Sequence, residues 1–176
     1  MLDNSLEIFT YQSELKIIKN GSVKNFTDLS FDHIQLLENE INNDKQVELA
    51  LHDMQPNCNK KRIEQFAICR FGGLDHQGDI VNGKLQDGEY WECPNRATCP
   101  HNGIVCKLPV VNEVRLTTVE VEILKMTCTE TKNIVIAETL NLPLGTFHKI
   151  KKHIWKSFKV YTKQEASLIS RSYNIR

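Results

Sequence analysis

The pattern of hydrophobic and polar positions predicts a hairpin and two helices near the amino terminus. Two short runs with strand character flank Asn20-Gly21, a dipeptide typical of a two-residue hairpin turn. Apolar residues then recur at helical spacing behind Ser30, a candidate N-cap. The predicted elements are strands at residues 14–19 and 22–26 and helices at residues 31–41 and 44–54. This first segment, residues 1–65, contains no catalytic constellation, and we expect it to serve packing or dimerisation.

Residues 66–115 lack such periodicity, and turn signals such as Asn82-Gly83 and Asp87-Gly88 take its place. A stretch of this kind cannot easily bury a core of its own, so it usually needs a covalent or metal staple. Three cysteines fall within the fourteen residues of CPNRATCPHNGIVC. The sequence therefore predicts a Cys-rich segment held together by a metal ion.

From residue 116 onward the pattern predicts four helices. Thr117, followed three residues later by Glu120, forms a capping box for the first of them. The second begins at residue 132 or 133, the third spans residues 144–158, and the fourth spans residues 163–172. The apolar face of the third helix comprises Phe147, Ile150, Ile154 and Phe158. The expected fold class is therefore α+β, with an all-α domain at residues 116–176.

Composition narrows the class of protein. Hydrophobic residues make up 40% of the chain and charged residues 25%, and no apolar run approaches the roughly 18 residues of a membrane span. The first residues lack the basic stretch and apolar run of a signal peptide. We therefore expect a cytoplasmic protein with no membrane partner, whose thiols stay reduced.

Charge is distributed unevenly along the chain. Residues 116–176 contain ten basic and five acidic residues, whereas residues 1–115 contain twelve and seventeen. Six lysines and no carboxylate fall between Pro143 and Lys163. An excess of cations in one region favours a polyanionic partner.

A short turn near Leu142 followed by this basic helix is typical of a helix-turn-helix, which implies duplex DNA. The candidate DNA-binding residues are Thr146, His148, Lys149, Lys151, Lys152 and Lys156.

Several positions agree in register with one known family. The family's opening motif, Leu-Thr-x-Arg-Glu-x-Glu-Val-Leu, is matched by Leu116, Thr117, Glu120, Glu122 and Leu124. Its second-helix motif, Asn-x-x-Ile-Ala-x-x-Leu, is matched by Asn133, Ile136, Ala137 and Leu140. The recognition-helix pattern is followed by Thr146, Phe147, Ile154, Phe158 and Val160. This stretch resembles the LuxR/GerE-type DNA-binding domain. The resemblance implies a transcriptional regulator whose third helix enters the major groove and whose last helix offers a homodimer face.

The chain also departs from that family. Val119 stands where the family has Arg, Ile150 where it has His, and His153 where it commonly has Asn. The resemblance therefore implies that the family's internal Arg–Glu ion pair is absent and that its target sequence does not carry over. The 115 residues upstream show neither a phosphoacceptor pattern nor a lactone-binding pattern.

The cysteine spacing predicts a metal site. Cys93, Cys99 and Cys106 place three thiols on a short loop, with gaps longer than those of a standard zinc finger, and zinc prefers four tetrahedral ligands. Cys69 is the first candidate for the fourth ligand and His101 the second, followed by Cys58 and His76. Cys128 is instead expected to be a core residue of the first helix.

Other cofactors and functions remain open. The same four cysteines suit a [4Fe–4S] cluster, in outline similar to WhiB-type regulators although the central Cys-x2-Cys is missing. The Cys-rich segment also resembles one that precedes LuxR-type domains in small regulators of Bacteroidetes and their phages. The alternative functions are an Fe–S redox sensor and a zinc-dependent adaptor that binds RNA polymerase or another protein. An enzyme is not expected, because closed thiolate-rich sites are usually structural.

Overall fold

The computed structural model describes residues 5–75, 77–88, 90–129 and 131–175. The chain divides into two compact units, Met1–Lys107 and Leu108–Arg176. Most of the predicted Cys-rich segment thus belongs to the first unit, and its last eight residues belong to the second. Over the described ranges the fold is mixed α+β, with seven α-helices and two antiparallel sheets, which confirms the expected class.

The described residues of the first unit form a five-stranded sheet, a short 3-10 turn and three α-helices. Its strand order is β3-β2-β1-β4-β5, and all pairings are antiparallel. The predicted hairpin turn at Asn20-Gly21 is confirmed, with both residues at positive φ. The elements are β1 (Leu6–Tyr11), β2 (Glu14–Lys19), β3 (Ser22–Asn25), a 3-10 turn (Phe26–Asp28), α1 (Phe31–Asn43), α2 (Lys45–Met54), α3 (Asn59–Phe71), β4 (Ile80–Val81) and β5 (Lys84–Leu85).

Its core lies between one face of the sheet and the helices. Ile8 pairs with Ile17 across β1 and β2, and both side chains join the same buried cluster as Leu37, Leu51 and Phe66 of α1, α2 and α3. The burial of these apolar side chains in one cluster holds the sheet to the helices.

Two details of the predicted helices differ from the structure. Phe31 and Leu49 belong to the apolar positions from which the two helices were predicted, yet Phe31 is 76% exposed at the start of α1 and Leu49 is 60% exposed on α2. Ser30 precedes α1 as expected, yet its hydroxyl lies 2.8 Å from His33 Nδ1 and makes no cap to a backbone N–H.

In the part of the second unit that the structure describes, there are a two-stranded hairpin and four helices. The α4 helix packs against each of the other three helices, and the side chain of Asn112 in the hairpin turn donates to the Ser157 carbonyl at 2.7 Å. The elements are β6 (Val110–Val111), β7 (Val114–Arg115), α4 (Thr118–Thr127), α5 (Asn133–Thr139), α6 (Leu144–Phe158) and α7 (Lys163–Ser172). The bounds of α6 and α7 are those that the periodicity predicts.

Local signals set the helix ends of this unit. The predicted capping box of Thr117 and Glu120 is confirmed, and Thr162 with Glu165 forms a second one at the start of α7. At the other end of α6, Lys159 adopts the left-handed conformation (φ 55°), which allows the Val160 N–H to reach the Trp155 carbonyl at 3.0 Å. In the described ranges, no helix combines the length and apolar character that a membrane crossing requires.

Candidate functional site

One side of α6 anchors it to its unit. Phe147, Ile154 and Phe158 are buried, with exposures of 0%, 0% and 3%. Ile150, the fourth member of the predicted apolar face, is only half-buried. The anchored side therefore fixes the direction in which the rest of the helix faces.

The opposite side of α6 carries the candidate DNA-binding residues. Thr146, His148, Lys149, Lys152 and Lys156 are all exposed. Within the described part of the chain, the three lysines form no ion pair, and α6 itself contains no carboxylate. Among the described residues of the same unit, no neighbouring acid therefore neutralises their charge.

Lys151 is placed differently from the other candidates. It is half-buried, and its Nζ lies 4.8 Å from the centroid of the Trp155 ring. Burial lowers the pKa of Lys151, and the nearby charge of Lys163 lowers it further. This lysine thus has an intramolecular partner that Lys149, Lys152 and Lys156 lack among the described residues.

A contact that the sequence did not predict joins α4 to α6. Glu120 is 6% exposed, and its carboxylate accepts hydrogen bonds from the backbone N–H and hydroxyl of Thr117 at 2.8 and 2.9 Å. Its other oxygen lies 2.7 Å from Nδ1 of His153. Burial alone raises the pKa of Glu120, but the hydrogen bonds from Thr117 and His153 outweigh it, so the pKa lies below its usual value.

The partner of Glu120 comes from the neighbouring helix and not from its own. Val119, next to Glu120 in the sequence, is apolar and 41% exposed, and it is His153 of α6 that contacts the carboxylate. The proximity of positions 120 and 153 depends on the packing of α4 on α6, which the sequence alone did not predict.

In the first unit, the four cysteines of the predicted metal set lie in one neighbourhood. Cys69 is on the last turn of α3, and both Cys69 and Cys106 belong to the main core cluster, at 6% and 5% exposure. Cys93 and Cys99 are half-buried. Burial raises the pKa of the Cys69 thiol to about 11; the Gln65 hydrogen bond lowers it in part, and the thiols of Cys106, Cys93 and Cys99 each raise it further.

The loop that carries three of these cysteines is a chain of turns. The Cys99 N–H donates to the Asn95 carbonyl at 2.9 Å, and the Asn102 N–H donates to the Cys99 carbonyl at 3.2 Å. The Arg96 guanidinium donates to the Trp91 carbonyl and to Asn102 Oδ1, both at 3.0 Å. These contacts bend residues 91–106 into a compact loop.

Two contacts attach this loop to α3. The Arg70 side chain, 2% exposed, donates through Nε to the Val105 carbonyl. The Trp91 ring covers Gly72 so closely that a Cβ there would lie 2.5 Å from a ring carbon. The loop and the end of α3 therefore form one packed region around Cys69.

The other candidate ligands are placed elsewhere. His101 Nε2 lies 2.7 Å from Asp53 Oδ2, so this ring nitrogen contacts a carboxylate and not the thiols. Cys58 is the N-cap residue of α3, at the opposite end from Cys69. Cys128 follows α4 and is half-buried, its Sγ lying 3.8 Å from the carbonyls of Ser167 and Ile175. His76 lies outside the described residues.

The thiols are neighbours without being arranged as ligands. Among the residues described, no group of three or more His, Cys, Asp or Glu side chains has the geometry to hold a metal ion. The buried thiols instead contact amides, with Gln65 Nε2 at 3.3 Å from Cys69 Sγ and Asn102 Oδ1 at 3.7 Å from Cys106 Sγ.

Comparison of the chain with protein-family models, with curated proteins and with solved structures finds no match.

Proposed function

We propose that the chain is a transcriptional regulator that binds duplex DNA through the exposed side of α6. The observation that carries the proposal is the row Lys149, Lys152 and Lys156, which is exposed and has no carboxylate partner among the described residues. An unneutralised row of cations on one helix face is suited to phosphates, because binding releases the counterions condensed on DNA.

The surroundings of α6 support a helix-turn-helix interpretation. The α5 helix ends at Thr139, four residues separate it from Leu144, and the two helices pack against each other. Buried Phe147, Ile154 and Phe158 hold α6 so that its opposite side faces solvent. This arrangement fits the LuxR/GerE-type domain that the sequence resembles.

Within this proposal the exposed residues have distinct roles. Thr146, His148 and Lys149 lie in the first turns of α6, where side chains of a recognition helix reach base edges. Lys152 and Lys156 lie further along the same helix and pair with phosphates, which fix orientation and contribute affinity. The positive end of the helix dipole at Leu144 also favours the approach of a phosphate.

The test is a pair of charge-reversed variants with the same net charge. Lys149→Glu with Lys152→Glu alters α6, whereas Lys60→Glu with Lys61→Glu alters two adjacent exposed lysines on α3. Affinity for a random-sequence duplex is measured by fluorescence anisotropy at several salt concentrations. We expect the α6 variant to lose at least about tenfold in affinity and much of its salt dependence, and the α3 variant to lose far less.

Circular dichroism on both variants checks that they remain folded. Equal losses in the two variants would point to net charge alone and contradict the proposal. Absence of salt-dependent binding by the unmodified chain would contradict it as well, and would favour the adaptor class.

A further inference from the structure

We propose that Cys69, Cys93, Cys99 and Cys106 bind one Zn²⁺ ion that fastens the loop of residues 90–106 to the end of α3. This inference concerns the first unit only and is independent of DNA binding.

The first support is that the four cysteines come from distant parts of the sequence and meet in the fold. Cys69 comes from a helix, whereas the other three come from a loop that begins more than twenty residues later. The fold nevertheless brings the loop back: Cys106 shares the core with Cys69, Trp91 packs on Gly72, and Arg70 donates to the Val105 carbonyl. Of the two remaining cysteines, Cys58 lies at the opposite end of α3 and Cys128 belongs to the second unit.

The second support is the construction of the loop. In its described part, residues 90–106 contain turns and one isolated bridge, between Asn102 and Cys106, but no helix or strand. Only Tyr90, Val105 and Cys106 are buried there. So little buried apolar surface offsets only part of the entropy that ordering such a loop costs. A tetrathiolate ion supplies the missing cross-link, because metal-binding free energy becomes folding free energy.

The third support is a pair of buried donors that lie close to the loop cysteines in the sequence. Trp91 Nε1 and Arg96 Nε are inaccessible to solvent, and the described residues give neither of them a hydrogen-bond acceptor. Trp91 precedes Cys93 by two positions, and Arg96 lies midway between Cys93 and Cys99. Thiolate ligands need such N–H donors around them, and a buried donor without an acceptor is costly.

The charge of the region suits the same ion. Zinc with four thiolates has a net charge of about −2, which needs compensation in a buried site. Arg70, adjacent to Cys69, is buried, and the Arg96 guanidinium lies over the Tyr90 ring, 4.6 Å from its centroid. Both guanidinium groups are on segments that carry the thiols, and because Arg70 Nη1 also lies 3.9 Å from Glu40 Oε1, they offset only part of that charge.

Four thiolates leave no open coordination position, which is the pattern of a structural zinc site. An iron–sulfur cluster uses the same ligands and is the rival outcome of the test. Because the thiols now contact amides, zinc has to draw them together, which requires Gln65 and Asn102 to release Cys69 and Cys106.

The experiment measures metal on the full chain, purified without chelator and dialysed. Elemental analysis is expected to give one zinc per chain, released when a mercurial reagent modifies the thiols. Cobalt exchanged into the same protein is expected to show the intense visible bands of tetrahedral thiolate coordination. Iron with broad absorption near about 400 nm would overturn zinc in favour of a cluster. A metal-free chain whose cobalt spectrum remains that of the hydrated ion would overturn the site altogether.

Matched variants assign the ligands. Cys93→Ser and Cys99→Ser change half-buried residues and are expected to lose most of the zinc, whereas Cys58→Ser and Cys128→Ser are expected to keep it. Zinc retained in both loop variants would contradict the assignment. The cobalt spectrum of the unmodified chain tests the site even where a variant fails to fold. Lys149→Glu with Lys152→Glu is expected to bind zinc normally, so failure of the DNA proposal and failure of this one are distinguishable.

Discussion

The two units use buried charge in different ways. In the first unit Glu7, Arg70 and Asp79 are all buried, at 1%, 2% and 6% exposure. Each of them holds backbone from another part of the unit: Asp79 accepts from the Ile8 N–H at 2.6 Å, Glu7 accepts from the Asp75 N–H at 3.0 Å, and Arg70 donates to the Val105 carbonyl. Buried ionisable side chains in this unit thus attach irregular segments to helices and strands.

In the described part of the second unit, Glu120 is the one buried charged side chain, and it caps its own helix. The helices there satisfy their backbone groups internally, so few charged groups are needed inside. The lysines of α6 consequently remain outside, available to a ligand. The comparison shows that two side chains of equal charge are placed differently: Arg70 is buried and donates to a backbone carbonyl, whereas Lys152 is exposed.

The largest effect is expected from Arg70→Ala. The change leaves a cavity in the core and deprives the Val105 carbonyl of its donor, so we expect the first unit to lose about 3–4 kcal/mol of unfolding free energy. The chain has two tryptophans, Trp91 and Trp155, one in each unit. Urea unfolding followed by Trp91 fluorescence in a Trp155→Phe background therefore isolates the first unit.

Lys61→Ala is the control, because Lys61 is exposed on the same helix. It is expected to change the unfolding free energy by no more than about 0.5 kcal/mol. A loss from Arg70→Ala no larger than this would mean that the buried arginine does not hold the loop, and the contrast between the units would fail.

The second effect concerns Glu7. Burial raises its pKa from 4.5 to about 7, the Asp75 N–H lowers it in part, and the Asp75 charge raises it. The folded state favours the protonated form of Glu7. The stability that this protonation gives the fold is therefore fully present below about pH 4.5 and is lost as pH rises through about 7. Glu7→Gln removes this dependence, so we expect a gain of about 2–3 kcal/mol at pH 8 and little change at pH 4.

The measurement is again urea unfolding followed by Trp91, repeated between pH 4 and pH 8. Glu14→Gln serves as a control, because Glu14 is an exposed carboxylate on the next strand. A gain that is the same at every pH would show that the substitution acts through packing and not through the charge of Glu7.

These contrasts also explain which parts of the fold the sequence predicted. The second unit is built from helices whose ends carry local signals, such as the Thr117–Glu120 capping box, so the bounds of α6 and α7 followed from periodicity. The first unit yielded its hairpin and two helices in the same way. The local sequence pattern is sufficient to predict an element when its formation depends on a single helix or turn.

The remaining elements of the first unit depend on distant partners. The β1 strand was not predicted, because it lies in the middle of a sheet and its partners come from both sides of the sequence. The α3 helix was not predicted either, since its burial includes Arg70 and Cys69, which do not form an apolar row. The candidate thiol group was predicted by chemistry, whereas the contacts that assemble it, through Arg70 and Trp91, required the structure.

A smaller effect is expected from His153→Ala in the second unit. The change removes the partner that lies 2.7 Å from Glu120, and we expect a loss of about 1 kcal/mol in unfolding free energy, since much of the imidazole is exposed. Trp155 fluorescence in a Trp91→Phe background reports on this unit. His148→Ala, an exposed histidine on the same helix, is the control and is expected to change little. Equal losses would show that the link between α4 and α6 contributes nothing measurable.

The smallest effect separates two adjacent lysines of α6. Lys152 is exposed, whereas Lys151 lies against the Trp155 ring. If α6 binds DNA as proposed, Lys152→Ala lowers the slope of log affinity against log salt by roughly 0.9, the value for one phosphate contact. Lys151→Ala is expected to lower it by less, because its ammonium already has an aromatic partner. Equal slopes would mean that Lys151 leaves Trp155 when DNA binds, and that exposure in the free chain does not decide which lysines meet phosphates.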